Sequence, residues 1–182
     1  ITVAVLGLLS VRCSTGLKTS TLSQTPRPKI VAHGGGIYGK SGCLNSLESL
    51  NYNYNRGVRY FELDFSWTSD SSLAAIHDWS GSVKKCFQKI GDKVPSLSQY
   101  RSSKMIGGLT QLELAKLQKW LEKHPDAYIV TDVKSDNLNA LKMFVDEMSN
   151  VQSQIIPQIF NTSEYGPAKE LGYNEIILTL YR

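Results

Sequence analysis

The feature that most constrains the fold is the segment Tyr60-Phe61-Glu62-Leu63-Asp64-Phe65-Ser66-Trp67. Side chains alternate between the two faces of a strand, so Glu62 and Asp64 share one face while the large apolar residues share the other. A strand with one strongly apolar face packs beneath other elements, where ionised carboxylates need a cation or strong hydrogen bonds. Two interpretations stay open: a metal held by the two acids, or a half-exposed strand whose acids lie in water.

Strand-like and helix-like segments alternate along the rest of the chain. We count six apolar strand-like segments, which begin near residues 29, 60, 73, 127, 154 and 176. Helix starts lie between them: Asn45 with Glu48, and Thr110 with Glu113, each have the spacing of a capping box. This alternation predicts βα units around a parallel sheet.

The N-terminal part of the chain differs from the rest. Residues 1–11 are almost wholly apolar, and a Ser- and Thr-rich stretch connects them to residue 28. A membrane-spanning helix needs about 20 apolar residues. We therefore interpret residues 1–28 as the remnant of a signal peptide or anchor with a polar linker, and residues 29–182 as the domain. The alternative is a first buried element of the domain. The first interpretation predicts a protein that is exported (periplasmic or extracellular) or membrane-anchored, with membrane association through the N-terminus.

The charge balance narrows the class of partner. The formal net charge is +4, a mild excess of base that favours an anionic substrate. The chain lacks a dense run of Lys and Arg interleaved with aromatic residues, so we predict no nucleic-acid partner. The three cysteines have no zinc-like spacing and predict no metal site of their own.

Polar residues gather at the ends of the predicted strands, where parallel βα folds carry their functional groups. These residues are His33, Glu62, Asp64, His77, Asp132 and Lys134. A loop of three glycines follows His33, and such a loop lets backbone N–H groups approach an anionic ligand. Taken singly, each residue has a structural explanation, such as a local ion pair between Asp132 and Lys134. Together, from four strands, they favour an enzyme.

Five short motifs give the chain a resemblance to a known family. They are Ala32-His33-Gly34-Gly35, Asn45-Ser46-Leu47-Glu48, Phe61-Glu62-Leu63-Asp64, Ile76-His77-Asp78 and Thr131-Asp132-Val133-Lys134. In this order they resemble the glycerophosphodiester phosphodiesterases, in particular a bacterial branch with a glycine-rich turn after the first histidine. The resemblance covers residues 29–182 and implies a TIM-type (β/α)₈ barrel. With about six strands the barrel would be truncated here, and we expect the natural protein to continue for about two more βα units.

The resemblance also implies roles for individual residues. His33 and His77 would act as general base and acid. Glu62, Asp64 and Asp132 would hold a divalent cation, and an all-oxygen ligand set favours Ca²⁺ or Mg²⁺. Residues expected to bind the substrate are Lys134, Asn45, Gly34 and Gly35. The expected substrate is a small-molecule or lipid-derived phosphodiester.

The chain departs from the family pattern at three positions: Gly34 and Leu44 replace an Arg and a Glu, and Asp132 replaces a Glu. The expected function is metal-dependent hydrolysis of a glycerophosphodiester-type ester. Two alternatives stay open: a related lipid phosphodiesterase of the phospholipase C or D type, and a catalytically degenerate barrel that binds a phosphate-bearing polymer. Cys43 and Cys86 lie on loops at the same end of the predicted barrel, where they form a disulfide or remain free thiols.

Overall fold

The computed structural model describes residues 30–39, 42–88, 93–133 and 135–180. The predicted N-terminal segment 1–28 and the predicted substrate ligand Lys134 lie outside these residues. The strands are β1 (Val31–Ala32), β2 (Tyr60–Trp67), β3 (Leu73–Ala74), β4 (Tyr128–Val133), β5 (Ile155–Ile159) and β6 (Ile177–Leu178). The helices are α1 (Leu47–Tyr54), α2 (Gly81–Cys86), α3 (Leu97–Ser102), α4 (Leu114–Glu122), α5 (Asn137–Glu147) and α6 (Tyr165–Glu170). In the described part of the chain, no helix has the length and apolar character needed to cross a membrane.

The sheet is half of a TIM-type barrel. Strands β1, β2, β4, β5 and β6 lie side by side in that order and run parallel. Strand β3 departs from the predicted parallel arrangement, because it pairs antiparallel with the end of β2. A tight turn separates the two strands, in which the Thr68 N–H donates to the Ser72 carbonyl at 2.8 Å. A parallel connection needs about a dozen residues or more, so this turn reverses the chain.

The apolar face of β2 forms the centre of the main core. The Phe61 ring packs edge-on against Trp120 of α4 at 5.6 Å, and the Phe65 ring against Phe144 of α5 at 4.9 Å. Both phenylalanines and Leu63 between them are almost fully buried. This packing fixes the register of β2, so that Glu62 and Asp64 point to the opposite, inner face of the half-barrel.

A smaller core lies under α2 and α3, beside the tip of the main sheet. Its centre is Tyr100, which contacts Trp79 and Phe87 and is fully buried. A disulfide joins Cys86 at the end of α2 to Cys43, with their Cα atoms 5.5 Å apart. Of the two states predicted for these cysteines, the structure therefore has the disulfide. It attaches α2 to the loop that precedes α1.

The helix caps differ from the predicted capping boxes. The N-cap of α1 is Ser46, whose hydroxyl accepts from the Ser49 N–H, and not Asn45. The N-cap of α4 is Glu113, and not Thr110. The two remaining partners bind each other across the chain: the Thr110 N–H and hydroxyl donate to the Glu48 carboxylate at 2.7 and 2.8 Å. The sequence spacing predicted two local capping boxes, but Glu48 and Thr110 instead form a tertiary contact with each other.

Candidate active site

The two acids of β2 are buried on the inner face of the half-barrel. Glu62 is 8% exposed and Asp64 is 3% exposed. Asp132 of β4 lies directly beside Asp64 in the parallel register and is half-buried. The alternative in which Glu62 and Asp64 lie in water is therefore wrong. Three carboxyl groups on neighbouring strands repel one another in a medium of low polarity, and a bound cation would relieve that repulsion.

His33 and Gly34 form a 3₁₀ turn directly after β1. The His33 Nε2 lies 3.8 Å from Glu62 Oε2, and the Gly34 N–H donates to the same oxygen at 2.8 Å. Gly34 has φ +59°, which favours glycine, and a Cβ there would lie 2.5 Å from the Leu44 Cβ. Glycine at position 34 has no Cβ and adopts this φ without strain, so its N–H can reach Glu62. With Leu44 beside it, position 34 has no room for an arginine.

Asn45 holds the carboxylate of Asp64 in place. Its Nδ2 donates to Asp64 Oδ2 at 3.0 Å, and its Oδ1 accepts from the Asp64 N–H at 3.1 Å. Asn45 adopts φ +60° and its N–H donates to the Gly34 carbonyl at 2.7 Å. Both polar ends of the buried amide are used on Asp64. The predicted substrate contact of Asn45 stays a prediction, and the structure gives the residue a supporting position behind a candidate metal ligand.

Three side chains could hold a metal ion together. Ligand atoms of His33, Glu62 and Asp64 all lie within 4.8 Å of one another, the one group of this kind in the described part of the chain. The predicted ligand Asp132 lines the same cavity outside this group, and His33, predicted as a catalytic base, is inside it. Carboxylate oxygens held by an amide and a backbone N–H suit a divalent cation. The donor set therefore fits the predicted cofactor class.

His77 follows β3 and is paired with the next residue. Its Nδ1 lies 3.0 Å from Asp78 Oδ2. Asp78 also accepts from hydroxyl and N–H groups of Ser80, Gly81 and Ser82 at the start of α2. The hydrogen bond with His77, followed by those from the serines and Gly81, holds the pKa of the Asp78 carboxyl well below its usual range. With Asp78 at Nδ1, the Nε2 atom of His77 is the ring nitrogen that can exchange a proton with a ligand.

Two cavities meet at His33 and Asp64. The larger, of about 650 Å³, is lined by His33, the three acids Glu62, Asp64 and Asp132, and residues after β4 and β5. The smaller, of about 190 Å³, lies between His33 and His77 and is also lined by Asn45, Asp64 and Lys85. Each described residue predicted for catalysis or metal binding thus lines one or both of these cavities. Gly34 and Gly35 lie buried in the turn after His33.

Two polar residues near the site were not predicted from the sequence. Asp78 was part of a recognised motif but had no assigned role, although its spacing to Ser80 and Ser82 was a signal for a hydrogen-bonded loop. Lys85 gave no local signal, because it lies beside Gly42, a residue distant from it in the sequence.

Comparisons with known proteins agree on the fold. No curated protein sequence matches the chain. A glycerophosphoryl diester phosphodiesterase from Parabacteroides distasonis superposes with a TM-score of 0.65 at 18% identity, over 81% of this chain and 53% of that one. A glycerophosphodiester phosphodiesterase from the same organism superposes with a TM-score of 0.60 at 18% identity, over 81% of this chain and 71% of that one. A glycerophosphodiester phosphodiesterase from Agrobacterium tumefaciens superposes with a TM-score of 0.59 at 16% identity, over 78% of this chain and 60% of that one. This chain spans about half the length of the first of these structures.

The family assignment comes from the sequence model of the glycerophosphoryl diester phosphodiesterase family, which matches residues 38–181. This match and the structural neighbours confirm the predicted family and the truncated TIM-type barrel. The bacterial branch and the domain boundary at residue 29 stay predictions. With more than half of its residues matched, the chain belongs to the glycerophosphoryl diester phosphodiesterase family.

Proposed function

We propose that the protein hydrolyses a glycerophosphodiester-type phosphodiester with the help of a divalent cation. The observation that carries the proposal is the group of His33, Glu62 and Asp64, whose ligand atoms all lie within 4.8 Å of one another. Two of these residues, His33 and Asp64, also line the smaller cavity together with His77. Water attacks phosphorus, one P–O bond breaks, and the products are a phosphomonoester and an alcohol. The reaction needs one proton removed from the nucleophile and one given to the leaving oxygen.

Two histidines that line the same small cavity suit these two proton transfers. In the proposal His77 gives its Nε2 proton to the leaving oxygen, and the Asp78 carboxylate at its Nδ1 stabilises the imidazolium before the transfer. His33 takes the proton of the nucleophile. A divalent cation held by Glu62, Asp64 and Asp132 would leave the His33 imidazole available as the base and would offset the negative charge of the phosphate.

The proposed cation is Ca²⁺ or Mg²⁺, because carboxylate oxygens dominate the donor set. Direct ligation by the His33 imidazole would instead favour a transition metal such as Mn²⁺ or Zn²⁺. We propose that the protein is exported or membrane-anchored. The disulfide between Cys43 and Cys86 supports this, since disulfides persist in oxidising compartments.

A lipid phosphodiesterase is the second candidate, and one observation favours it. Ile37 is 74% exposed directly after the glycine-rich turn, and the exposed rings of Tyr38 and Tyr52 pack together beside it at 5.5 Å. Exposed apolar and aromatic side chains at the rim of a site suit contact with a lipid surface. The Ile37→Ser variant separates the two candidates: it should lower hydrolysis of lysophosphatidylcholine micelles and leave hydrolysis of glycerophosphocholine unchanged if the substrate is a lipid.

The main test is hydrolysis of glycerophosphocholine and bis(p-nitrophenyl) phosphate by the full-length protein, with Ca²⁺, Mg²⁺ or EDTA. Turnover should require the cation and fall by about 10²-fold or more in His77→Gln and Glu62→Gln. His124→Gln is the matched control, because His124 packs on Trp120 away from both cavities. A folded protein that binds the cation and turns over neither ester under any condition would favour the polymer-binding alternative.

A further inference from the structure

The small cavity between His33 and His77 contains one basic side chain to which no role has been assigned. We propose that Lys85 binds the negatively charged oxygens of the substrate phosphate from the α2 side of this cavity. This inference rests on the proposed function for the nature of the anion. It makes Lys85 a residue that determines affinity for anionic substrates.

The charges around the site require a cation from the protein. Five carboxyl groups line the large cavity: those of Glu62, Asp64, Asp132, Asp136 and Glu164. One divalent cation offsets two of these charges, and the phosphodiester brings a further negative charge. Of the described residues that line either cavity, Lys85 is the one lysine or arginine. Lys134, predicted from the sequence to bind substrate, lies outside the described residues.

Next to His33, the described residues that line this cavity supply no further basic side chain. A Cβ at Gly34 would lie 2.5 Å from the Cβ and 2.7 Å from the Cδ1 of Leu44. The space beside His33 is therefore occupied by an apolar side chain. The Gly34 N–H is directed at Glu62, at 2.8 Å, and not at a ligand. A phosphate between the two histidines would meet its basic partner on the α2 side.

The fold holds Lys85 at the edge of this cavity in two ways. The next residue, Cys86, is joined by the disulfide to Cys43, which lies next to Gly42. Gly42 has φ +60° and no side chain, and a Cβ there would lie 3.4 Å from Lys85 Nζ and 3.7 Å from its Cε. The end of the lysine thus lies across the glycine backbone. A larger residue at position 42 would be strained and would push the ammonium group aside.

The chemistry of lysine suits this role. Its ammonium group is a compact charge with three hydrogen-bond donors on a long stem, and here the side chain stays exposed, so a bound anion replaces water at little desolvation cost. A contact of this kind acts on substrate and transition state alike. Its loss should therefore raise KM more than it lowers kcat.

The experiment compares three variants of the full-length protein with glycerophosphocholine as substrate. In Lys85→Gln, KM should rise about tenfold with a smaller change in kcat, and in Lys85→Arg most of the affinity should return. The matched control is Lys84→Gln, which removes the same charge from the neighbouring exposed position of α2, outside both cavities. Its KM should stay within about twofold of the wild-type value. Lys85→Met keeps the length of the stem and replaces Lys85→Gln if that variant fails to fold.

Binding of inorganic phosphate, followed by calorimetry in the presence of the cation, provides a readout that does not depend on turnover. If the KM and the phosphate affinity of Lys85→Gln equal those of the wild-type protein, the inference is overturned and the proposed function stays intact. Phosphate binding that needs Lys85 but not Lys84, in a protein that hydrolyses no diester, would support the inference and overturn the proposed function. A protein that neither hydrolyses diesters nor binds phosphate would overturn both.

Discussion

At the scale of single residues, Asn45 shows how a side chain can define the site by holding a candidate metal ligand in place. Its amide spans Asp64, accepting from the Asp64 N–H and donating to the Asp64 carboxylate. Two hydrogen bonds from one planar group fix both the position and the rotation of the carboxylate. The left-handed backbone at Asn45, φ +60°, is tolerated because asparagine adopts it more readily than most residues.

We expect Asn45→Ala to lower the affinity for Ca²⁺ or Mg²⁺ by about 10- to 100-fold, the effect usually seen when a partner of a metal ligand is removed. The free energy of unfolding should also fall, by about 1–3 kcal/mol, because a buried hydrogen-bonded group is lost. Calorimetric titration of the folded variant measures the affinity. Asn139→Ala, an exposed asparagine on α5, is the control. Equal cation affinity in Asn45→Ala and wild type would show that Asp64 needs no support.

Asp78 gives a prediction about pH. Its pKa is lowered in the folded state by His77, by the Ser80 and Ser82 hydroxyls and by the Gly81 N–H. A group with a lowered pKa stabilises the fold above its unfolded pKa, about 3.9, and loses that contribution as the pH falls toward its folded pKa. Urea unfolding should therefore show that Asp78→Asn is less stable than wild type at pH 7, and that the difference shrinks below about pH 4.

The control for this measurement is Asp146→Asn, which alters an exposed carboxyl paired with Lys142. Its difference from wild type should stay small throughout. A difference for Asp78→Asn that is constant between pH 7 and the acid limit would contradict the prediction. Such a result would mean that the loop accepts an amide as well as a carboxylate.

At the scale of elements, what the sequence could predict depended on whether the signal was local. The alternation in β2 predicted which side chains are buried against α4 and α5, and that prediction is confirmed because a strand's period is a property of its own backbone. The end-of-strand rule brought His33, Glu62, Asp64 and Asp132 to one cavity. The capping boxes failed because Glu48 and Thr110 bind each other, a contact between residues 62 positions apart.

The same reasoning explains what was missed around α2. The sequence predicts the Cys43–Cys86 disulfide only as one of two alternatives, because a spacing of 43 residues does not by itself indicate that the cysteines meet. Unless this disulfide is assumed, the sequence does not predict where α2 packs, and it does not predict that Lys85 lies near the site. The direction of β3 was predicted wrongly because strand counting ignored the length of the turn after Trp67. Loop length was the signal that could have corrected it.

The disulfide leads to a prediction at this scale. Replacing both Cys43 and Cys86 by serine should lower the free energy of unfolding by about 2–4 kcal/mol. It should also raise KM in the direction expected for Lys85→Gln, because α2 loses its link to the loop before α1. Combined with Lys85→Gln, the two changes should be less than additive, since both act on the same lysine.

Reduction of the wild-type protein by dithiothreitol is the paired measurement for this prediction. It should reproduce the kinetic change of the double serine variant, and the variant itself should not respond to the reductant. Lower stability with an unchanged KM would mean that α2 holds Lys85 in place without the covalent link, through the packing of Val83 and Phe87 alone.

At the scale of the whole molecule, the candidate metal site joins elements that are far apart in the sequence. His33 follows β1, Glu62 and Asp64 lie on β2, Asp132 lies on β4, and Asn45 precedes α1. The candidate ligands come from different strands, so they lie side by side only when the sheet has formed. A cation that binds this group therefore binds the assembled half-barrel and not the unfolded chain, so binding free energy becomes folding stability.

We expect saturating Ca²⁺ or Mg²⁺ to raise the thermal unfolding midpoint of the wild-type protein, and a concentration of 100 times Kd to add about 2.7 kcal/mol to the free energy of unfolding. The increase should be the same by circular dichroism and by tryptophan fluorescence, because the ligands belong to one cooperative unit. Glu62→Gln should abolish it, whereas Glu122→Gln, which alters an exposed carboxyl bound to Asn150, should retain it in full. If the midpoint rose equally in Glu62→Gln, the cation would be acting elsewhere, and the buried acids of β2 would be stabilised by contacts within the protein, among them their hydrogen bonds with Gly34 and Asn45.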